Sequence, residues 1–138
     1  MSKRDTYHNL VRAALEELGW DVTHDPLSVK AGTRKIRVDL GAELIGAEKG
    51  EEKIAVEIKS FLRRSELTDF YEALGKFRYY KYVLNQSMPE RILFLAIPED
   101  FYVTFFEEEV FNQAIIEIEN LKIILFNIEE GKITKWIK

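Results

Sequence analysis

Between residues 35 and 97 the polar and apolar residues change period in an order that few architectures accommodate. Lys35–Leu40 alternates, with Ile36, Val38 and Leu40 on one face and Lys35, Arg37 and Asp39 on the other. Lys53–Lys59 alternates again, setting Ile54, Val56 and Ile58 against Ala55, Glu57 and Lys59. A period of two is that of a strand with one face buried. From Ser65 to about Leu84, Phe70, Ala73, Leu74, Phe77 and Tyr80 recur at helical spacing. Arg91–Ile97 is then an almost unbroken apolar run, as in a central strand covered on both faces. Half-buried strands, a crossover helix and a fully buried strand together predict a mixed sheet with helices on its faces.

The flanking segments extend this order. Arg4–Leu18 reads as a helix, with Asp5 as N-cap and Gly19 just past its end. Trp20–His24 reads as a short strand closed by the Asp25-Pro26 turn, in which Asp25 bonds its own backbone. Val29-Lys30 opens another strand, and Gly41–Glu52 reads as a connection that carries Glu43 and Glu48. Asp100–Phe106 and Glu109–Glu119 read as helices, Leu121–Asn127 and Lys132–Ile137 as strands. No repeat or Pro/Gly/Ser linker interrupts the pattern, so one domain over residues 1–138 is expected, ordered α-β-β-β-α-β-α-β-β.

Composition narrows the chemistry. The chain has no cysteine, which excludes a disulfide scaffold, a thiolate metal site and a cysteine nucleophile, and fits a reducing cytoplasm. Only His8 and His24 could supply imidazole. No apolar run approaches the roughly 20 residues of a membrane span. A net charge of −4 means that nucleic-acid binding would need a local basic patch or a metal ion. Lys30, Arg34, Lys35 and Arg37 form such a patch just before Asp39, and Arg63 and Arg64 extend it.

Asp39, Glu57 and Lys59 are the candidate chemical residues. Glu57 and Lys59 are two apart on one strand and share a face. If the preceding strand pairs with theirs, Asp39 joins them. Two carboxylates at one place repel unless a cation neutralises them. Oxygen ligands without sulfur or imidazole suit Mg2+, or Mn2+ in vitro. A lysine beside them could orient water and offset charge on a phosphorus-centred transition state. The alternative is that all three are solvated residues on an exposed sheet face.

The pattern resembles the restriction-endonuclease-like, PD-(D/E)xK, nuclease superfamily, with Asp39 at its first acid and Glu57-Ile58-Lys59 at its (D/E)xK. Val38 stands where that motif usually has proline. Asp5-Thr6-Tyr7-His8, Gly19-Trp20, Thr23–Leu27, Asp39–Glu43, the long Ala47–Phe61 block, Ala73-Leu74-Gly75 and Lys135-Trp136-Ile137 are similar to XisH, a cyanobacterial controlling factor for excision of the fdxN DNA element. The resemblance implies an αβββαβ core with extra C-terminal strands, and a metal site of Asp39, Glu57 and the Ile58 carbonyl. It also implies action on DNA beside a XisI-type protein and a separate recombinase. His8 and Lys76 stand where related nucleases often carry an accessory glutamate and glutamine. A non-catalytic subunit that binds DNA and a XisI-type partner is the second reading, and a purely structural interaction protein the third. Phe77, Tyr79, Tyr80 and Tyr82 read as core or as a homodimer face. Glu107-Glu108-Glu109 should face away from DNA.

Overall fold

The computed structural model describes residues 3–46, 50–61, 65–105, 108, 112–113 and 120–138. Helix α1 (Lys3–Glu17) buries Val11, Ala14 and Leu15. It begins before Asp5, which therefore lies in the first turn and is not the cap. After α1 come β1 (Asp21–His24), β2 (Leu27–Ala31), β3 (Arg34–Val38), β4 (Leu40–Gly46) and β5 (Gly50–Ile58). Helix α2 (Glu66–Ser87) follows, then β6 (Arg91–Pro98), α3 (Glu99–Phe105), β7 (Ile123–Asn127) and β8 (Lys132–Ile137). Most of the expected Glu109–Glu119 helix, together with Phe106, Glu107 and Glu109, lies outside the described residues.

Six strands form one mixed sheet in the order β1-β4-β5-β6-β7-β8. Strands β5, β6 and β7 run parallel, and the outer pairs are antiparallel. Along the chain this sheet reads α1-β1-β4-β5-α2-β6, the αβββαβ order expected, with β7 and β8 as the additional strands. Ser65 caps α2, its Oγ accepting the Thr68 N–H at 3.1 Å. One core lies between the sheet and α1, where Val11 and Leu15 meet Leu40, Ile54, Val56 and Phe94. The other lies on the α2 side, where Phe70, Phe77 and Leu84 meet Ala55, Leu93 and Leu95.

The structure corrects the expected strands in two places. Lys35–Leu40 is not one strand. Among the described residues, strand β3 pairs only with β2, in a separate two-stranded sheet whose Leu27, Val29, Ile36 and Val38 pack into the α2-side core. Strand β4 then begins at Leu40, so Asp39 is the corner at which the chain leaves the hairpin for the main sheet. Alternation continues through such a corner, which hides it from a reading of periodicity. Nor is Gly41–Glu52 mainly a connection: β4 and β5 pair from Leu40 with Val56 to Gly46 with Gly50. Gly41 serves strand packing there, since a Cβ on it would lie 3.2 Å from the His24 Cβ of β1.

Candidate functional site

The end of the β4–β5 ladder builds the site. The last pair of that ladder is Leu40 with Val56, whereas β5 continues beside β6 as far as Ile58 with Ala96. Beyond Val56 the β4 side of β5 is met by Asp39. Its carboxylate accepts the Ile58 N–H at 2.8 Å, and its own N–H donates to the Glu57 carboxylate at 3.2 Å. The two acids therefore brace each other across the corner. In a strand the N–H and C=O of one residue point to the same side. The Ile58 carbonyl thus projects toward Asp39, while the Lys59 N–H turns away to the Ala96 carbonyl.

For Glu57 the structure contradicts the alternative of a solvated sheet face, since it is only 6 % exposed. It shares with Ala55 the side of β5 that α2 covers, so both faces of this strand are buried. Lys76 of α2 meets it, Nζ to carboxylate 2.9 Å. Burial, and then the charge of Asp39, push the Glu57 carboxyl up to about 7, although Lys76 opposes the rise. Burial works against the Lys76 ammonium as well, but its bond to Glu57 holds it above the ordinary lysine value. Tyr80 closes the cluster. The Lys76 ammonium lies 5.8 Å from its ring centre, and burial together with the Glu57 charge holds its phenol protonated above the usual range.

Lys59 is committed to two acids of α2, to Glu72 at 3.5 Å and Asp69 at 3.9 Å. Asp69, Glu72 and Tyr80 are the neighbours that sequence reasoning missed. Helical spacing marked Tyr80 as core, and nothing in a sequence shows which helix acids will face a strand lysine. Lys76 enters the site as an ion-pair partner of Glu57. His8 does not meet either carboxylate in the contacts described. Its Nε2 bonds Asp25 at 2.7 Å, and Arg12 bonds the other oxygen of Asp25 at 2.7 Å. Burial raises that carboxyl, but the two bonds outweigh it and hold Asp25 below the usual range. Asp25 thus ties α1 to the loop after β1, in place of the expected bond to its own backbone.

Lys30, Arg34, Lys35 and Arg37 are all exposed on the β2–β3 hairpin that leads into Asp39. Arg63 and Arg64 lie outside the described residues, as does Glu48. Glu43 is a strand residue bound to Arg91 at 3.2 Å and near Lys53 at 4.0 Å. Buried Arg91 also donates to the Ile54 carbonyl at 2.9 Å, which fastens β6 to β5. Among the described residues no three His, Cys, Asp or Glu side chains converge as a ready metal cage. Asp39, Glu57 and the Ile58 carbonyl could together offer three oxygen donors. Among the same residues no helix is long and apolar enough to cross a membrane.

The XisH protein family model matches residues 1–134. A crystal structure of an XisH family protein from Nostoc punctiforme PCC 73102 superimposes with a TM-score of 0.85 at 39 % identity, over 95 % of this chain and 98 % of that one. A fdxN element excision controlling factor protein from Anabaena variabilis superimposes with a TM-score of 0.86 at 37 % identity, over 97 % of this chain and 99 % of that one. No curated protein matches the chain.

Proposed function

The chain belongs to the XisH family, and from that premise we propose that it is a controlling factor for DNA-element excision that handles DNA phosphodiesters at Asp39, Glu57 and Lys59. The observation that carries this reading is the meeting of Asp39 and Glu57 across the β4–β5 corner, where burial first, and then the Asp39 charge, raise the Glu57 carboxyl to about 7. Lys76 is the cation that meets Glu57 in this structure, and a metal ion between the two carboxylates would take over that role. The donor set, two carboxylates and the Ile58 carbonyl, contains only hard oxygens and suits Mg2+, with Mn2+ as a substitute. When bound, the ion would polarise a phosphate oxygen and lower the pKa of its water.

The chain's own residues divide the remaining work. Lys59, fixed by Asp69 and Glu72, is set to orient the attacking water. Lys76, with its side chain about half exposed, can leave Glu57 for a phosphate oxygen of the DNA. The hairpin bases Lys30, Arg34, Lys35 and Arg37 would grip the flanking backbone. A XisI-type protein and a separate recombinase belong to the same reading as the partners that complete excision.

One observation favours a second reading. Lys76 already neutralises Glu57, and Lys59 is already paired with two acids. A site at rest in this form would suit a regulatory subunit that binds DNA and a XisI-type partner without cutting. The test is incubation with supercoiled, branched and single-stranded DNA in Mg2+ or Mn2+, beside Glu57→Ala. Metal-dependent cleavage by the wild type, absent from Glu57→Ala, supports the enzyme. No cleavage under either metal, with DNA binding intact in both proteins, selects the regulatory subunit.

A further inference from the structure

We propose that the end of the sheet opposite the carboxylate corner binds a nucleotide, taking a terminal phosphate on the α2 face and the attached base on the α1 face. Arg91 pairs with Lys53 at one end of the β5–β6 ladder and Ala96 with Ile58 at the other. The proposed site is therefore roughly 15 Å from the corner along the strands. Two cavities open there, and they adjoin, since Ile92 and Lys122 line both.

The first cavity, about 150 Å3, lies between α2 and the start of β6. Phe77, Leu84 and Leu93 form its apolar floor, and Lys81, Asn85, Asn120 and Lys122 bring polar side chains to it. Lys81 and Asn85 follow Phe77 at intervals of four, on one stripe of the helix. Both lysines are half-buried. Among the described residues neither lysine has an ion-pair partner, neither amide side chain has a hydrogen bond, and no carboxylate lines this cavity. Arg91 also borders it, but its guanidinium is taken by Glu43 and the Ile54 carbonyl. Two unmatched ammoniums in a chain of net charge −4 call for a dianion. A phosphate monoester carries about −1.5 to −2 near pH 7, whereas a carboxylate or an internal phosphodiester carries a single charge. The negative end of the α2 dipole accounts for one cation nearby. It accounts neither for Lys122, which leads into β7, nor for the two amides.

The second cavity, about 210 Å3, is on the α1 side and is walled by Trp20, Phe94 and Trp136. Trp20 and Trp136 stack with centroids 5.8 Å apart, and Phe94 meets Trp136 edge-on at 5.1 Å. Such rings are platforms for a flat base. Glu51, Glu52, Glu90 and Lys53 stand around them, acceptors and a donor of the kind that base edges bond. The acids are thus kept to the cavity that would hold the base and out of the one that would hold the phosphate. Lys122 borders both, so its stem can run beside the base while its ammonium turns to the phosphate. Inorganic phosphate alone would leave the aromatic wall unused, and an uncharged aromatic would leave the lysines unmatched.

Trp20 and Trp136 are the chain's only tryptophans, so intrinsic fluorescence reports on the second cavity directly. The titration is run in EDTA, which separates its outcome from that of the metal reading of the corner. dAMP should quench the fluorescence saturably, and should bind at least tenfold more tightly than deoxyadenosine. Inorganic phosphate should leave the fluorescence unchanged and displace dAMP only weakly. Lys81→Glu and Lys122→Glu should each weaken dAMP at least tenfold and deoxyadenosine hardly at all, with circular dichroism confirming the fold. Lys81→Arg and Lys122→Arg should retain binding. A single-stranded oligonucleotide, with and without a 5′ phosphate, distinguishes the sources of the ligand. Quenching that requires the 5′ phosphate assigns the site to a strand end, and quenching by dAMP alone assigns it to a free nucleotide; either upholds the site. No saturable quenching by dAMP overturns the proposal. So does equal binding of dAMP and deoxyadenosine, or dAMP binding that both glutamate variants leave unchanged.

Discussion

Glu57 is the residue at which stability and chemistry meet. Its ordinary value is 4.5 and its folded value about 7. Between the two, the native state holds a proton that the unfolded chain has released. Unfolding free energy therefore falls as pH rises through that window and levels off above it. At 1.36 kcal/mol per unit, the whole decline amounts to about 3 kcal/mol at most. Denaturant unfolding of metal-free protein from about pH 4.5 to about pH 8 should show this decline, and Glu57→Gln should flatten it. A wild-type profile that rises across the window would contradict the burial argument. Asp39 makes a separate contribution as the acceptor for the Ile58 N–H. Asp39→Ala should cost about 1–2 kcal/mol, measured near pH 4.5, where Glu57 is protonated and relief of repulsion does not mask the loss. A variant as stable as the wild type there would show that the amide finds another partner.

At the scale of elements, the proposed reading makes the β2–β3 hairpin the part that DNA meets on its way to the Asp39 corner. Replacing Arg34 and Arg37 together by Ala should weaken DNA binding and make the slope of log Kobs against log salt shallower by about 1.8, two phosphate contacts' worth. An unchanged slope would mean that the hairpin is only a solvated face. Ser65→Ala should lower stability by about 1 kcal/mol through loss of the α2 cap, read from the denaturation midpoint. The elements were largely legible in the sequence. The apolar run at Arg91–Ile97 is the central strand, and the helical spacing that starts at Ser65 is α2, with Ser65 as its cap. The Asp39 corner was hidden because alternation runs on when a chain passes from one sheet to another. The burial of Glu57 was hidden for a different reason. Parity assigned it to the face opposite Val56, but only the fold shows that α2 covers that face and sets Lys76 against it. Asp69 and Glu72 reach Lys59 through the same long-range packing, which no local pattern encodes.

For the whole molecule, the balance of charge sets a direction. The chain carries −4 overall, yet Lys30, Arg34, Lys35 and Arg37 are exposed on one hairpin that runs into the carboxylate corner. On the proposed reading DNA would be drawn to that side, with Asp39 and Glu57 at the edge of the attractive patch. The chain belongs to the XisH family, and on the proposed reading a cation at the corner would turn a binding surface into a cutting one. The most direct test is calorimetric titration of the wild-type protein with Mn2+ at about pH 7, near the Glu57 value, in two buffers of different ionisation enthalpy. The account predicts one tight site per chain that releases a fraction of a proton as Glu57 ionises, and that is lost in both Asp39→Ala and Glu57→Ala. Binding that survives both substitutions, or no binding by the wild type, would contradict a metal site at this corner.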